Sequence, residues 1–279
     1  MARKRYAFDE NKIARFLKEG RGEGTGVSYR PWLTIQDVPS LGRSHRLCGW
    51  KTGRVHHLLS DIECSLFYLF DWSDSVQDIR EQFPIDRQTT QRIAEQLGIR
   101  HPTDITTKTP LVMTTDIVVD VVRDGRSVIL ARAVKPANLL DKPRIIEKLE
   151  IERRYWLERG AEWGIVTERD IPKTVVRNVA WVHNFISLDQ LSQLHPGYLA
   201  EKAAQVLQEI SGWTGDRPLS DFCGGMDAHF AVPSGTCLML VRHLLATKRL
   251  SCDMTKSLDD TASVGRLRAV STEFGRATG

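Results

Sequence analysis

Two runs of alternating β-branched residues, separated by Asp124-Gly125, constrain this chain more than any other feature. Asp116–Val122 and Ser127–Val134 each read as a strand, and Asp-Gly between such runs signals a two-residue hairpin turn. That loop pairs Arg123 with Arg126, so opposed residue numbers sum to 249 and Asp116 faces Ala133. Lys135 is then the diagonal neighbour of Asp116, roughly 7–8 Å away between Cα atoms. Asp120 shares that face, while Ile117, Val119 and Val121 point the other way. Lys142–Arg159 follows as a helix, with Ile145, Leu149 and Trp156 inward and Gly160 just past its end. Trp163–Thr167 is a further strand. Upstream, Leu58–Phe70 reads as a helix with Leu59, Ile62, Leu66 and Phe70 on one face, and Ser75–Phe83 as an extended run ended by Pro84. Helix, strand, hairpin, helix, strand predicts an α/β core with a mixed sheet.

The rest of the chain adds elements around that core. Asp9–Gly20 predicts a first helix, with Ile13, Phe16 and Leu17 on one side. Residues 86–100 carry Ile93, Ala94 and Leu97 at helical spacing and resemble half of a helix-turn-helix, but no recognition helix follows before His101-Pro102. A small helical insertion is the reading. After Arg169-Asp170-Ile171-Pro172 the texture changes: helices at Lys173–Asn184, Pro196–Ser211 and Ser234–Ala246, then a strand-like piece over 248–254. Three helices and a terminal strand predict a small winged-helix-like domain at 171–279, behind an α/β domain at 1–170.

Composition narrows the function classes. Apolar residues are 41% and charged residues 27%, which excludes wholesale disorder and a disulfide-stapled miniprotein. There is no run of about 18 apolar residues, as a membrane span requires. The basic start is followed by Tyr6-Ala7-Phe8-Asp9-Glu10 instead of an apolar stretch, so no signal peptide is expected. Five widely spaced cysteines, with no C-x-x-C, read as reduced thiols in a cytoplasmic protein without a zinc site. Net charge is only +4, but residues 1–60 hold 12 Lys and Arg against 5 Asp and Glu. This basic arm, interrupted by the Gly20–Gly26 cluster, either tracks a phosphate backbone or is a solvated tail. Arg43, His45, Arg46, Lys51, Arg54, His56 and His57 are its candidate DNA contacts. His56 and His57 are poor joint metal ligands, because adjacent side chains diverge on a strand or a helix. No Gly-x-x-x-x-Gly-Lys-[Ser/Thr] loop is present, so no ATP hydrolysis is expected.

Asp116 and Lys135 place a carboxylate and an ammonium on one face of an apolar strand pair. One reading is phosphodiester chemistry: carboxylate oxygens hold a divalent cation, and the lysine orients water or neutralises charge on the phosphate. The other is a salt bridge at the sheet rim. Glu63 lies on the apolar side of its helix, where a carboxylate needs a partner; Ser60-x-x-Glu63 is also a capping box.

A resemblance bears on these alternatives. His56-His57-Leu58-Leu59-Ser60-Asp61-Ile62-Glu63, Asp78–Pro84, Thr115-Asp116, Val134-Lys135-Pro136-Ala137 and Lys148–Trp156 resemble the TnsA family over about residues 10–170. These are the endonuclease subunits of heteromeric cut-and-paste transposases. The resemblance implies a restriction-endonuclease-like fold of the PD-(D/E)xK type. It also implies Mg²⁺-dependent cutting of the five-prime strand ends of a transposon, with Mn²⁺ able to substitute. Implied partners are duplex DNA at the transposon ends, a TnsB-like transposase and an AAA+ TnsC-like regulator, the last through the C-terminal domain. The expected location is the bacterial cytoplasm, at the nucleoid when assembled. Carried over, Glu63 and Asp116 are metal ligands and Lys135 the catalytic lysine. The family pattern expects a polar residue two before that lysine, and this chain has Ala133. The Val134 backbone carbonyl or Asp120 is the candidate replacement. The alternative is a non-catalytic DNA-binding or assembly subunit with a decayed nuclease core. A winged-helix repressor with an α/β sensor leaves Glu63 and the Asp116/Lys135 face unexplained.

Overall fold

Asp124 and Gly125 both adopt positive φ, 50° and 71°, the backbone of the tight hairpin turn their sequence favours. In the computed structural model, which describes residues 7–38, 42–189 and 191–270, the turn joins the two central strands of a four-stranded sheet. The chain divides into two units, Met1–Ile171 and Pro172–Gly279.

In the first unit, α1 (Glu10–Lys18) precedes a hairpin of β1 (His45–Cys48) and β2 (Val55–Leu58). Then come α2 (Asp61–Trp72), β3 (Val76–Pro84), α3 (Arg87–Gln96), β4 (Thr114–Arg123), β5 (Arg126–Val134), α4 (Pro143–Leu157) and β6 (Glu162–Val166). The sheet order is β3-β4-β5-β6, antiparallel twice and then parallel, with α4 as the crossover that a parallel pair needs. The β4–β5 register runs from Ile117 opposite Arg132 to Arg123 opposite Arg126, as the turn dictates.

Helices cover both sheet faces. Cys64, Leu66 and Phe67 of α2 pack with Ile117, Val119 and Val121. Ile93 and Ala94 of α3 join Ile151, Tyr155 and Trp156 of α4 against Val118 and Ala131. α3 is thus a helix whose apolar face packs into the core. Each fully buried side chain of this size contributes about 1.5–3 kcal/mol.

Strict alternation fails at one level of the sheet. Glu81 points to Arg54 and His56 on the β2 side, yet Phe83, two residues on, lies tilted against Trp156 of α4 with ring centroids 5.7 Å apart. Between them Gln82 sits at φ 47°, a conformation that costs a non-glycine residue roughly 1–3 kcal/mol. β4 changes face at the same height: Thr115 bonds Glu152 and Trp156 of α4, whereas Ile117 packs with α2. The two strands kink together.

Several expectations need correction. The 45–58 segment forms a strand pair, and α2 starts at Asp61 because the extended Ser60 caps it, so Leu58 belongs to β2. The glycine cluster is no free arm. Gly22 lies at φ 85° against Pro84, where a Cβ would come within 2.1 Å, and the Gly26 N–H donates to Asp78. Arg21 stacks on Phe16 and bonds the Trp32 carbonyl and Asp37, closing a small core of Ile13, Phe16 and Trp32. Residues 1–6 of the basic arm lie outside the described residues.

The second unit contains α5 (Lys173–His183), α6 (Tyr198–Gly212), α7 (Leu219–His229) and α8 (Thr236–Ala246). A two-residue pair of β7 (Leu250–Ser251) and β8 (Arg268–Ala269) completes it. The sequence reading missed α7, whose Gly224-Gly225 lowers helical propensity. Its Leu219, Phe222, Cys223 and Met226 are buried at helical spacing. All five cysteines are free thiols. Among the described residues no helix is long and apolar enough to cross a membrane.

Candidate active site

Asp116 lies at the kink, one residue before the β4–β5 ladder begins. Its Oδ2 accepts from the Val134 N–H at 2.7 Å and from Lys135 Nζ at 2.6 Å. The same ammonium donates to the Val134 carbonyl at 2.9 Å, and the Lys135 N–H is fixed on Val166 O of β6. Burial works against the Lys135 charge, but the Asp116 carboxylate outweighs it and holds the ammonium above its ordinary pKa.

Glu63 approaches from the first turn of α2 and is only 5% exposed. Its Oε2 accepts from the Leu59 N–H and its Oε1 from the Ser60 hydroxyl, both at 3.0 Å, while its own N–H donates to Ser60 Oγ. This is a capping box displaced by one residue, since the Leu59 N–H replaces that of Ser60. Burial, and then the Asp116 carboxylate, push the Glu63 carboxyl up to about 7. The cap and the acidic neighbour therefore coexist.

Glu152 completes the cluster and was not singled out in the sequence. It lies on α4, accepts from Thr115 and Trp163, and is likewise pushed up to about 7 by burial and by Asp116. The signal was available: Ile145, Leu149, Glu152 and Trp156 share one helical stripe, and Glu152 is its polar member. Asp116, Lys135, Glu152 and Lys148 line a cavity of about 270 Å³. The Lys148 side chain makes no hydrogen bond or ion pair with the described residues, and burial, Arg144 and Lys135 all depress its pKa.

Among the described residues no three His, Cys, Asp or Glu side chains form a ready metal cage. Glu63, Asp116 and the Val134 carbonyl nevertheless offer hard oxygen donors, and two of them are carboxylates close enough to repel each other. That donor set fits Mg²⁺, which takes one or two carboxylates and keeps several waters. Ala133 is fully buried and offers no side-chain oxygen. Asp120 is no substitute: it pairs with Arg80, about 13 Å along the strand from Asp116.

The seven candidate DNA contacts separate. Arg54 and His56 are buried on Glu81: Arg54 holds both carboxylate oxygens, at 2.9 and 2.6 Å, and His56 Nδ1 lies at 2.7 Å. Neither is free for DNA: both are interior partners of Glu81, Arg54 as an ion pair and His56 as a hydrogen-bond partner. The Arg54 charge and the His56 ring are both taken up by a carboxylate 25–27 residues on in the chain, a partner that local charge counting overlooks. Arg43 and His45 both bond Asp61 near the start of α2. Arg46 is exposed. Lys51 and His57 are half-buried, and burial lowers the His57 pKa.

A mixed sheet with helices on both faces, and an Asp and a Lys where adjacent strands meet, fits a restriction-endonuclease-like core. Residues 73–168 match the TnsA-like endonuclease N-terminal family, and residues 170–254 the TnsA endonuclease C-terminal family. The transposon Tn7 transposition protein TnsA of Escherichia coli is 42% identical over 261 residues, covering 92% of this chain and 91% of that protein. The chain belongs to the TnsA family of transposition endonucleases. Asp116, Lys135 and Glu152 fall inside the first matched region, and Glu63 precedes it.

Proposed function

We propose that this protein is the Mg²⁺-dependent endonuclease that cuts the five-prime strand ends of a transposon. The observation that carries this reading is the junction of Asp116, the Val134 carbonyl and Lys135, with Glu63 beside it. Glu63, Asp116 and the Val134 carbonyl would hold Mg²⁺, with Mn²⁺ as a substitute. When bound, the metal supplies a Lewis acid and a water of lowered pKa. Lys135, already charged, orients the attacking water or balances charge gathering on the phosphate oxygens. In-line attack at phosphorus leaves a five-prime phosphate and a three-prime hydroxyl. Lys148 faces the same cavity without an acidic partner, which suits it to a neighbouring phosphate of duplex DNA. Arg43, His45, Arg46, Lys51 and His57 are the remaining candidates for backbone contacts.

The second unit is assigned a winged-helix-like role in assembly. An AAA+ TnsC-like regulator docks there, and a TnsB-like transposase cuts the three-prime ends. The setting is the bacterial cytoplasm, at the nucleoid once assembled. Ala133 favours a second reading, an assembly subunit with a decayed nuclease core, because the usual side-chain oxygen is missing. The deciding experiment assembles the protein with its partners on transposon-end DNA and Mg²⁺. Cutting of five-prime ends that Asp116→Ala abolishes is the expected result. Cutting by Asp116→Ala at the parent rate overturns the site, and no cutting by the parent protein favours the decayed core.

A further inference from the structure

We infer that Gln82 is a positioning residue for this site: its side-chain amide fixes the Glu63 carboxylate relative to Asp116. The inference rests on the metal-dependent reading above. Glu81 pairs with Ile117 and Phe83 with Thr115 across β3 and β4, which brings position 82 level with Asp116 between two paired positions. Gln82 is 2% exposed, and its carbonyl accepts from the Trp32 N–H. Its Nε2 lies 3.5 Å from Glu63 Oε2, and its Oε1 accepts from the Thr114 hydroxyl at 3.2 Å. The Glu63 carboxylate only accepts, which turns the amide nitrogen toward it, and the Thr114 hydroxyl donates to the oxygen left at the other end. The side chain thus spans the gap between α2 and the start of β4.

The backbone makes the choice of residue informative. Among the described residues five non-glycines have positive φ, and Gln82 alone is buried inside a strand; Lys108, Asp124, Ala231 and Lys248 lie outside helices and strands. A left-handed position is best served by Gly, or by Asn with its short polar side chain. A buried site is best served by an apolar residue. Glutamine satisfies neither preference, so what it adds is an amide that reaches Glu63 and Thr114.

Gln82→Asn and Gln82→Gly both accept the backbone and both fall short of Glu63. The readouts are Mn²⁺ affinity by calorimetric titration, thermal unfolding without metal, and strand cleavage at rising Mn²⁺. Outer-shell partners of metal ligands typically contribute 10–100-fold to affinity. The expected result is a Tm within a few degrees of the parent, about tenfold weaker Mn²⁺ binding, and cleavage recovered at higher Mn²⁺. A purely structural role would lower Tm and leave affinity unchanged. Parental Mn²⁺ affinity in either folded variant overturns the inference, as does failure of both to fold, which would make the amide a fold determinant. Asp116→Ala is titrated in parallel. If it binds Mn²⁺ normally, the site reading itself fails; if it loses Mn²⁺ while Gln82→Asn keeps parental affinity, only the inference fails.

Discussion

Lys135 Nζ touches the two oxygens that a divalent cation at this site would also use, Asp116 Oδ2 and the Val134 carbonyl. Removing the ammonium frees both. Lys135→Ala is therefore expected to keep or strengthen Mn²⁺ binding while strand cleavage disappears; lost binding in a calorimetric titration would make the lysine a brace. Protonation supplies a second check. Glu63 and Glu152 are both pushed up to about 7, so between their ordinary range and pH 7 the folded chain holds protons that the unfolded chain releases. Their contribution to stability is full below about pH 4.5 and is lost as pH rises through 7. Metal-free protein should thus melt lower at pH 8 than at pH 6, and Mn²⁺ affinity should climb over the same interval as the cation replaces the Glu63 proton. A flat affinity profile would remove Glu63 from the ligand set. At Ala133, a glutamine would place an amide oxygen opposite Asp116. Ala133→Gln is expected to lower the Mg²⁺ concentration needed for cleavage, read from initial rates across a Mg²⁺ series.

The Arg54–Glu81–His56 cluster ties the β1–β2 hairpin to β3. Arg54→Ala would strand the Glu81 carboxylate, which Arg54 and His56 hold down at about 2 despite burial. Breaking a buried pair of this kind costs about 3–5 kcal/mol, visible as a lower urea midpoint. The salt dependence of DNA binding should not change, whereas loss of a true phosphate contact would reduce its slope. The sequence supports some elements far better than others. The β4–β5 register was legible from Ile117 to the turn because Asp-Gly and a period of two agree, but the pairing of Asp116 with Ala133 lies beyond the ladder. The β1–β2 hairpin was not, since two four-residue strands, His45–Cys48 and Val55–Leu58, are too short to show an alternating apolar pattern. The kink at Gln82 was hidden as well: no glycine marks it, and its cause is a partner strand more than 30 residues away in the chain.

All the candidate site residues belong to the first unit, and each unit closes a core of its own. In the second, Leu219, Leu240, Val241 and Leu244 are fully buried. A fragment spanning Met1–Ile171 should therefore bind Mn²⁺ within about threefold of the intact chain, a difference of under 1 kcal/mol. Calorimetry on the fragment tests this, and absent binding with an intact circular dichroism spectrum would show that the site needs the second unit. What the sequence could not supply at this scale was the count of helices in that unit, because paired glycines concealed α7.

The matched kink also limits how this enzyme can vary in length. A one-residue deletion in β3 before Gln82 would exchange inside for outside along that strand while β4 kept its own change of face. Glu81 would then leave Arg54, and the neighbour of Asp116 would no longer be an amide. Surface loops tolerate such losses cheaply. In a deletion scan, the 76–84 and 114–117 segments should stand out as a coupled pair in which single deletions abolish folding, including at positions away from Asp116 where substitutions are mild.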